Sequence, residues 1–259
     1  MHIRVLFLVV KSKLISRHSP TPNTERRKNL KKKLTDYFTK TDIAVWSISM
    51  TVISVAFIIY SKENVTTLIA SYIGVTSLIF CAKGNPVGQI LMIIFSIIYA
   101  FISYSFAYYG EMITYLGMTL PMAVFSLISW LRNPYKGNRA EVTVNKIKGK
   151  EWAFMLILSA AVTVVFYFIL RHFNNANIVP STISITTSFI AAYLTFRRTT
   201  YFGLAYAMND VVLIVMWIMA SAINKEYIPV VVCFMVFFVN DIYGFLNWIK
   251  MQKRQSFSK

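Results

Sequence analysis

Two asparagine–aspartate pairs stand inside strongly apolar stretches of this sequence: Asn209–Asp210 in YAMNDVVLIVMW and Asn240–Asp241 in CFMVFFVNDIYGFLNWIK. Asparagine supplies both hydrogen-bond donors and an acceptor, so such amides can hold hydroxyls or a carboxamide. Tyr243, one turn beyond Asn240, can add a ring face and a phenol. The surroundings make this chemistry costly, because a carboxylate at the centre of a bilayer helix costs about 2.5–3.5 kcal/mol on insertion scales. Something polar must receive these groups, either a solute or another helix.

Helical spacing groups them. Asn240, Tyr243 and Asn247 share one face at i, i+3 and i+7, while Tyr206, Asp210 and Trp217 share another at i, i+4 and i+11. Asp241 lies about 100° round its helix from Asn240, so it is expected to support packing or orient neighbours. Gln89 lies with Ser96, Tyr99 and Ser103 along one side of a third apolar stretch. Tyr115, Thr119 and Ser126 mark a fourth, in which Pro121 predicts a kink. Polar side chains between membrane helices often act only as glue, at about 0.6 kcal/mol per hydrogen bond, and Ser96, Tyr115, Thr119 and Ser126 are read that way. Asn240 and Tyr243 are read as solute contacts, because an Asn–Asp pair recurs at equal depth on two neighbouring helices.

The elements that must position them are membrane spans. The 259-residue chain is 56% hydrophobic and only 14% charged, yet carries a net charge of +17; its mean hydropathy is +0.56. These values exclude an ordinary soluble domain and define an all-α integral membrane protein. Eight apolar runs reach or approach the length that crosses a core of about 30 Å, at 42–60, 65–82, 86–109, 112–131, 152–170, 178–196, 201–222 and 227–249. Between them lie the basic residues, 24 on one side and 3 on the other, the minority being Lys62, Arg171 and Lys225. The positive-inside rule puts both termini in the cytoplasm of a multi-pass cell-membrane protein. Residues 1–41 read as a basic cytoplasmic tail, 42–250 as the transmembrane domain and 251–259 as a second tail. The basic run RRKNLKKK at 26–33 faces an anionic leaflet rather than nucleic acid, having no interleaved aromatics. VLFLVV at 5–10 is too short to span and has no cleavage site, so it reads as tail or as a start placed too early. Cys81 and Cys233 fall at different depths and form neither a disulfide nor a metal site.

An internal repeat organises the spans. FSLISWLR at 125–132 aligns with YGFLNWIK at 243–250, and Gly88 aligns with Gly203. Three-span repeats over 65–131 and 178–249, joined by a linker helix at 152–170, form a parallel 3+1+3 core with one extra N-terminal helix. A solute site is then expected between the repeats near mid-depth. In the first repeat, Met122 and Ala123 stand where the second has Asn240 and Asp241, so the site is asymmetric.

The NDIYGFLNW string with its N-x-x-Y element at Asn240 and Tyr243, the Asn209–Asp210 pair and YGE at 109–111 resemble the PnuC-type nicotinamide riboside transporter family over residues 45–250. Membership implies a SWEET-like fold, uptake by facilitated diffusion, and trapping of the vitamin by a cytosolic kinase. It also implies substrate contacts at Asn240 and Tyr243, with Asn209 opposite and Gln89 from the first repeat. Asp210, Trp217 and Asn247 join them as candidates on the faces described above. Ala205 and Tyr206 stand where a family tryptophan is looked for, and relatives take thiamine, riboflavin or deoxynucleosides. The implied partners are a small nucleoside-like solute and the bilayer, with self-association into a homo-oligomer allowed. No cofactor, metal or catalytic residue is called for: KGNPVGQ lacks the spacing of an ATP-binding loop, and no protease or esterase string is present. Proton-coupled transport through Asp210 and Asp241 is the alternative.

Overall fold

Thr39 and Asp42 open the first helix. The Asp42 carboxylate accepts from the Thr39 backbone N–H at 2.7 Å and from its hydroxyl at 2.9 Å, while the Asp42 N–H lies 3.1 Å from Thr39 Oγ1. This reciprocal capping box satisfies first-turn donors that would otherwise be orphaned. The helix it starts is α1 (Lys40–Tyr60). The computed structural model describes residues 37–60, 65–105, 109–175 and 177–257, so the readings made above of the tail before residue 37 and of Lys62 lie outside the described residues. The chain divides into a short N-terminal unit ending at Ala44 and a larger one from Val45 onward.

The larger unit is helical almost throughout. Its elements after α1 are α2 (Val65–Ala82), α3 (Val87–Ser105), α4 (Tyr109–Thr114), a π-helical turn (Tyr115–Thr119), α5 (Leu120–Arg132), strands β1 (Pro134–Tyr135) and β2 (Asn138–Val142), α6 (Gly149–His172), α7 (Ile178–Phe196), α8 (Phe202–Ile223), a 3-10 turn (Lys225–Tyr227) and α9 (Ile228–Phe257). With α1, eight helical segments among the described residues are long and apolar enough to cross a membrane. Their bounds follow the apolar runs closely. The exception is α9, which continues through the basic stretch to Phe257, where the sequence suggested a tail.

Packing joins the helices in two groups. In the first, α2 and α5 each pack against α3; in the second, α7 and α9 each pack against α8. Across the groups, α9 packs on α2 and α5 packs on α7. Glycines permit the closest approaches. A Cβ on Gly88 would stand 2.8 Å from the Cys81 backbone nitrogen, and one on Gly203 would stand 2.8 Å from the Asp241 carbonyl oxygen, so α2–α3 and α8–α9 touch backbone to backbone.

Pro121 yields a π-helical turn rather than a simple bend. Proline has no N–H and its ring crowds the carbonyl four residues back. The preceding residues answer by widening, and Leu120 N–H bonds to Tyr115 O. The connection between α5 and α6, read from sequence only as a basic loop, contains a β-hairpin. Lys136 and Gly137 have φ of 49° and 78°, the left-handed pair that a two-residue hairpin turn requires. The hairpin ties four elements together. Val142 N–H bonds to Gly84 O at 3.0 Å, and Arg198, in the α7–α8 turn, reaches Thr143 O at 3.2 Å and Ser129 Oγ on α5 at 2.6 Å. Gln255 of α9 accepts from Val144 N–H at 2.8 Å and donates to Glu141 and to Val142 O at 2.9 and 3.0 Å; Arg254 pairs with Glu141. Burial and the neighbouring Arg197 lower the Arg198 pKa, but a guanidinium stays charged under any physiological condition.

Candidate solute-binding site

Between the two helix groups lies a cavity of about 50 Å³. Phe95 of α3 and both Tyr115 and Thr119 of the π-helical turn line it from the first group; Asn209, Asp210 and Asp241 line it from the second. Small-molecule sites usually measure about 300–1,000 Å³, so this geometry is contracted and must widen to admit a nucleoside-sized solute. Widening is plausible chemistry for a π-helical turn, since such turns carry weaker, longer-range hydrogen bonding and recur at functional sites.

Asn209 is oriented by its neighbours on α7. Its Oδ1 accepts from Ser188 Oγ and Thr187 Oγ1, both at 2.8 Å, with Ser184 Oγ at 3.5 Å. Thr187 also has backbone carbonyls within reach, so Ser188 is the neighbour whose hydroxyl is given over to the Asn209 amide. The Nδ2 donors are thereby left toward the cavity that Asn209 lines.

Asp210 and Asp241 both line the cavity and interact electrostatically with each other. Asp210 Oδ2 is buried and makes no bond to any other described residue. Their meeting follows from the glycine contact at Gly203, which brings the Asp241 backbone against α8. No lysine or arginine is among the described residues lining the cavity.

Aromatic rings line the cavity and cluster again nearer the hairpin. On one side Tyr99 packs on Tyr115 with centroids 4.4 Å apart, and Phe95 lies 6.1 Å from Tyr115 and 5.8 Å from Phe237. Toward the hairpin, Trp130 and Trp248 lie 5.5 Å apart, and Phe202 meets Trp248 at 4.8 Å. Trp130 Nε1 donates to Thr195 O at 2.9 Å and Trp248 Nε1 to Cys81 O at 2.8 Å. The last helix of each group thus bonds to the penultimate residue of the first helix of the other.

Of the residues singled out from sequence, Asn209 and Asp210 line the cavity. Asn240 does not. It lies one position from Asp241 and turns the other way, donating from Nδ2 to Ser49 Oγ of α1 at 2.9 Å and to Val236 O at 2.8 Å. The two neighbours have exchanged the directions expected of them, with Asp241 facing the cavity and Asn240 facing another helix. Gln89 donates to Cys81 Sγ at 3.3 Å, Trp217 packs edge-on against Tyr227 at 5.6 Å, and Tyr243 and Asn247 are half-buried on α9; none of the four lines the cavity. Tyr115 and Thr119, read as glue, do line it. Ser184, Thr187 and Ser188 were passed over, although the hydroxyl-rich run TISITTS at 182–188 marks them within an apolar span.

Membrane-crossing helices arranged around a polar, acid-lined cavity define a membrane transporter. The chain belongs to the nicotinamide mononucleotide transporter family, whose model matches residues 64–250. It is similar to the nicotinamide riboside transporter PnuC of Neisseria mucosa, at 24% identity over 217 residues and 82% of each chain. It is also similar to that of Haemophilus influenzae, at 20% identity over 211 residues, 81% of this chain and 90% of the relative. Its fold is similar to a crystal structure of the vitamin B3 transporter PnuC, with a TM-score of 0.76, 23% identity, and coverage of 87% of this chain and 97% of that one.

Proposed function

We propose that the chain carries nicotinamide riboside across the cell membrane, binding it at Asn209, Asp210 and Asp241. The observation that carries this reading is the cavity lining, with two carboxyls, an amide and aromatic rings but no basic side chain among the described residues. Nicotinamide riboside joins a flat, positively charged pyridinium ring to a carboxamide and a hydroxyl-bearing sugar. Carboxyls suit the charge, and ring faces add roughly 0.5–2 kcal/mol by stacking and cation–π attraction. The Asn209 donors suit a carbonyl or a hydroxyl. The mononucleotide adds a phosphate that the same carboxyls would repel. The riboside, named for both relatives, is therefore favoured.

Parallel three-helix repeats are supported by the reciprocal tryptophan bonds and by the reciprocal packing of α9 on α2 and α5 on α7. Rocking of one group against the other would then give alternating access. Asn240 Oδ1, buried without a hydrogen-bond partner, becomes available to the solute as the cavity widens, with Tyr243 one turn further on. Gln89, Trp217 and Asn247 serve as outlying contacts along the path. Transport is by facilitated diffusion into a cytoplasm that holds both termini, where a kinase traps the vitamin by phosphorylation.

Counterflow tests the mechanism. Proteoliposomes preloaded with unlabelled riboside should accumulate labelled riboside without ATP or an ion gradient. A strict requirement for a proton gradient would replace uniport by the second reading, proton coupling, which the facing Asp210 and Asp241 carboxyls favour.

A further inference from the structure

Glu111 is an acidic residue of the membrane-spanning part that lies outside the cavity lining. It lies in the first turn of α4, at the end of the molecule away from the hairpin, and is only 5% exposed. It makes no hydrogen bond or ion pair with any described residue. The helix N-terminus offsets part of the cost of a carboxylate there, yet a largely buried carboxyl in a membrane span, with no partner among the described residues, still calls for a functional reason. Its position supplies one. Tyr115 follows it by four residues, on the same helix face, and interacts electrostatically with both Glu111 and Asp210. Tyr115 lines the cavity and packs on Tyr99, which also feels Glu111.

We propose that Glu111 is the first of two carboxylate stages for a cationic solute, drawing the ring through the Tyr99–Tyr115 pair toward Asp210 and Asp241. This rests on the riboside reading given above. Aromatic faces between two carboxylates suit a flat cation, which can exchange one partner for the other while remaining against a ring. Glu111 is in this sense a specificity residue for positively charged ring solutes, and neutral nucleosides would gain nothing from it.

The test is Glu111→Gln in proteoliposomes, with uptake measured against riboside concentration, and with Glu111→Asp as the charge-retaining control. Loss of an attracting charge should lower kcat/KM about ten-fold, the low end of the range for charge-focused binding, through KM and with kcat retained. Glu111→Asp should recover most of that loss. Because the carboxyl has no partner to abandon among the described residues, Glu111→Gln should melt no lower than the parent. Unchanged kcat/KM in Glu111→Gln, an equal loss in Glu111→Asp, or a Glu111→Gln variant that fails to fold would each overturn the proposal. If the parent itself moves no riboside while remaining folded, the functional reading fails first and this one with it.

Discussion

The Asn209 amide proposed to meet the solute is held by a serine on another helix. Ser188 gives its proton to Oδ1 at 2.8 Å, and the amide donors are left for the cavity. Ser188→Ala should therefore weaken riboside binding without unfolding the protein, by about 0.5–1.5 kcal/mol for one lost orienting bond, read by titration calorimetry. The acidic pair should matter more. Asp210→Asn or Asp241→Asn removes a charged partner for the ring, worth about 1.5–3 kcal/mol, or roughly 10- to 150-fold in affinity. Asn240→Leu breaks the bond from α9 to Ser49 and should lower thermal stability more than affinity. The reverse pattern, with Asp241→Asn binding normally and Asn240→Leu folded but inert, would return the roles to those the sequence suggested. Both polar pairs were legible in the sequence because bilayer energetics single them out. Which of two adjacent side chains faced the cavity was not, since that depends on the rotation of α9 set by its contacts with α1, α2 and α8. Nor were the α7 hydroxyls, since serine and threonine in membrane helices usually bond back to their own carbonyls.

At the scale of elements, hydropathy located every described span, because about 20 apolar residues have few alternatives to a membrane helix. The π-helical turn was signalled only as a kink. Its form depends on what Tyr115 and Thr119 pack against, which no local pattern around Pro121 states. The hairpin was signalled by Tyr-Lys-Gly-Asn at 135–138 but obscured by the expectation that membrane connections are loops. Its clasp on α9 makes a distinct prediction. Gln255→Ala deletes three hydrogen bonds to the hairpin segment and should lower apparent stability by about 1–3 kcal/mol, while riboside affinity in detergent holds. A loss of affinity without a loss of stability would mean that this end of α9 reports directly to the site.

For the whole molecule, the proposed topology rests on the charge count together with the helix count. Eight crossings, one for each sufficiently long apolar helix among the described residues, would return the chain to its starting side, and the positive-inside rule would put 24 of the 27 basic residues there. A single cysteine placed at Asn138, in the hairpin, should resist membrane-impermeant reagents in intact cells and react after permeabilisation. Labelling from outside would invert the molecule and move Glu111 to the inner face.

The central claim is that an acidic cavity without basic residues selects a cationic riboside, and equilibrium binding to the purified, folded protein tests it most directly. Three ligands suffice: nicotinamide riboside, its mononucleotide, and the reduced dihydro-riboside, which keeps the shape but has no ring charge. The riboside is expected to bind tightest, with the neutral form weaker by about 10- to 150-fold, the worth of one charged contact, and the mononucleotide weaker than the riboside because its phosphate meets the carboxyls. Mononucleotide binding as tight as that of the riboside, or equal affinity for the charged and neutral ribosides, would contradict it.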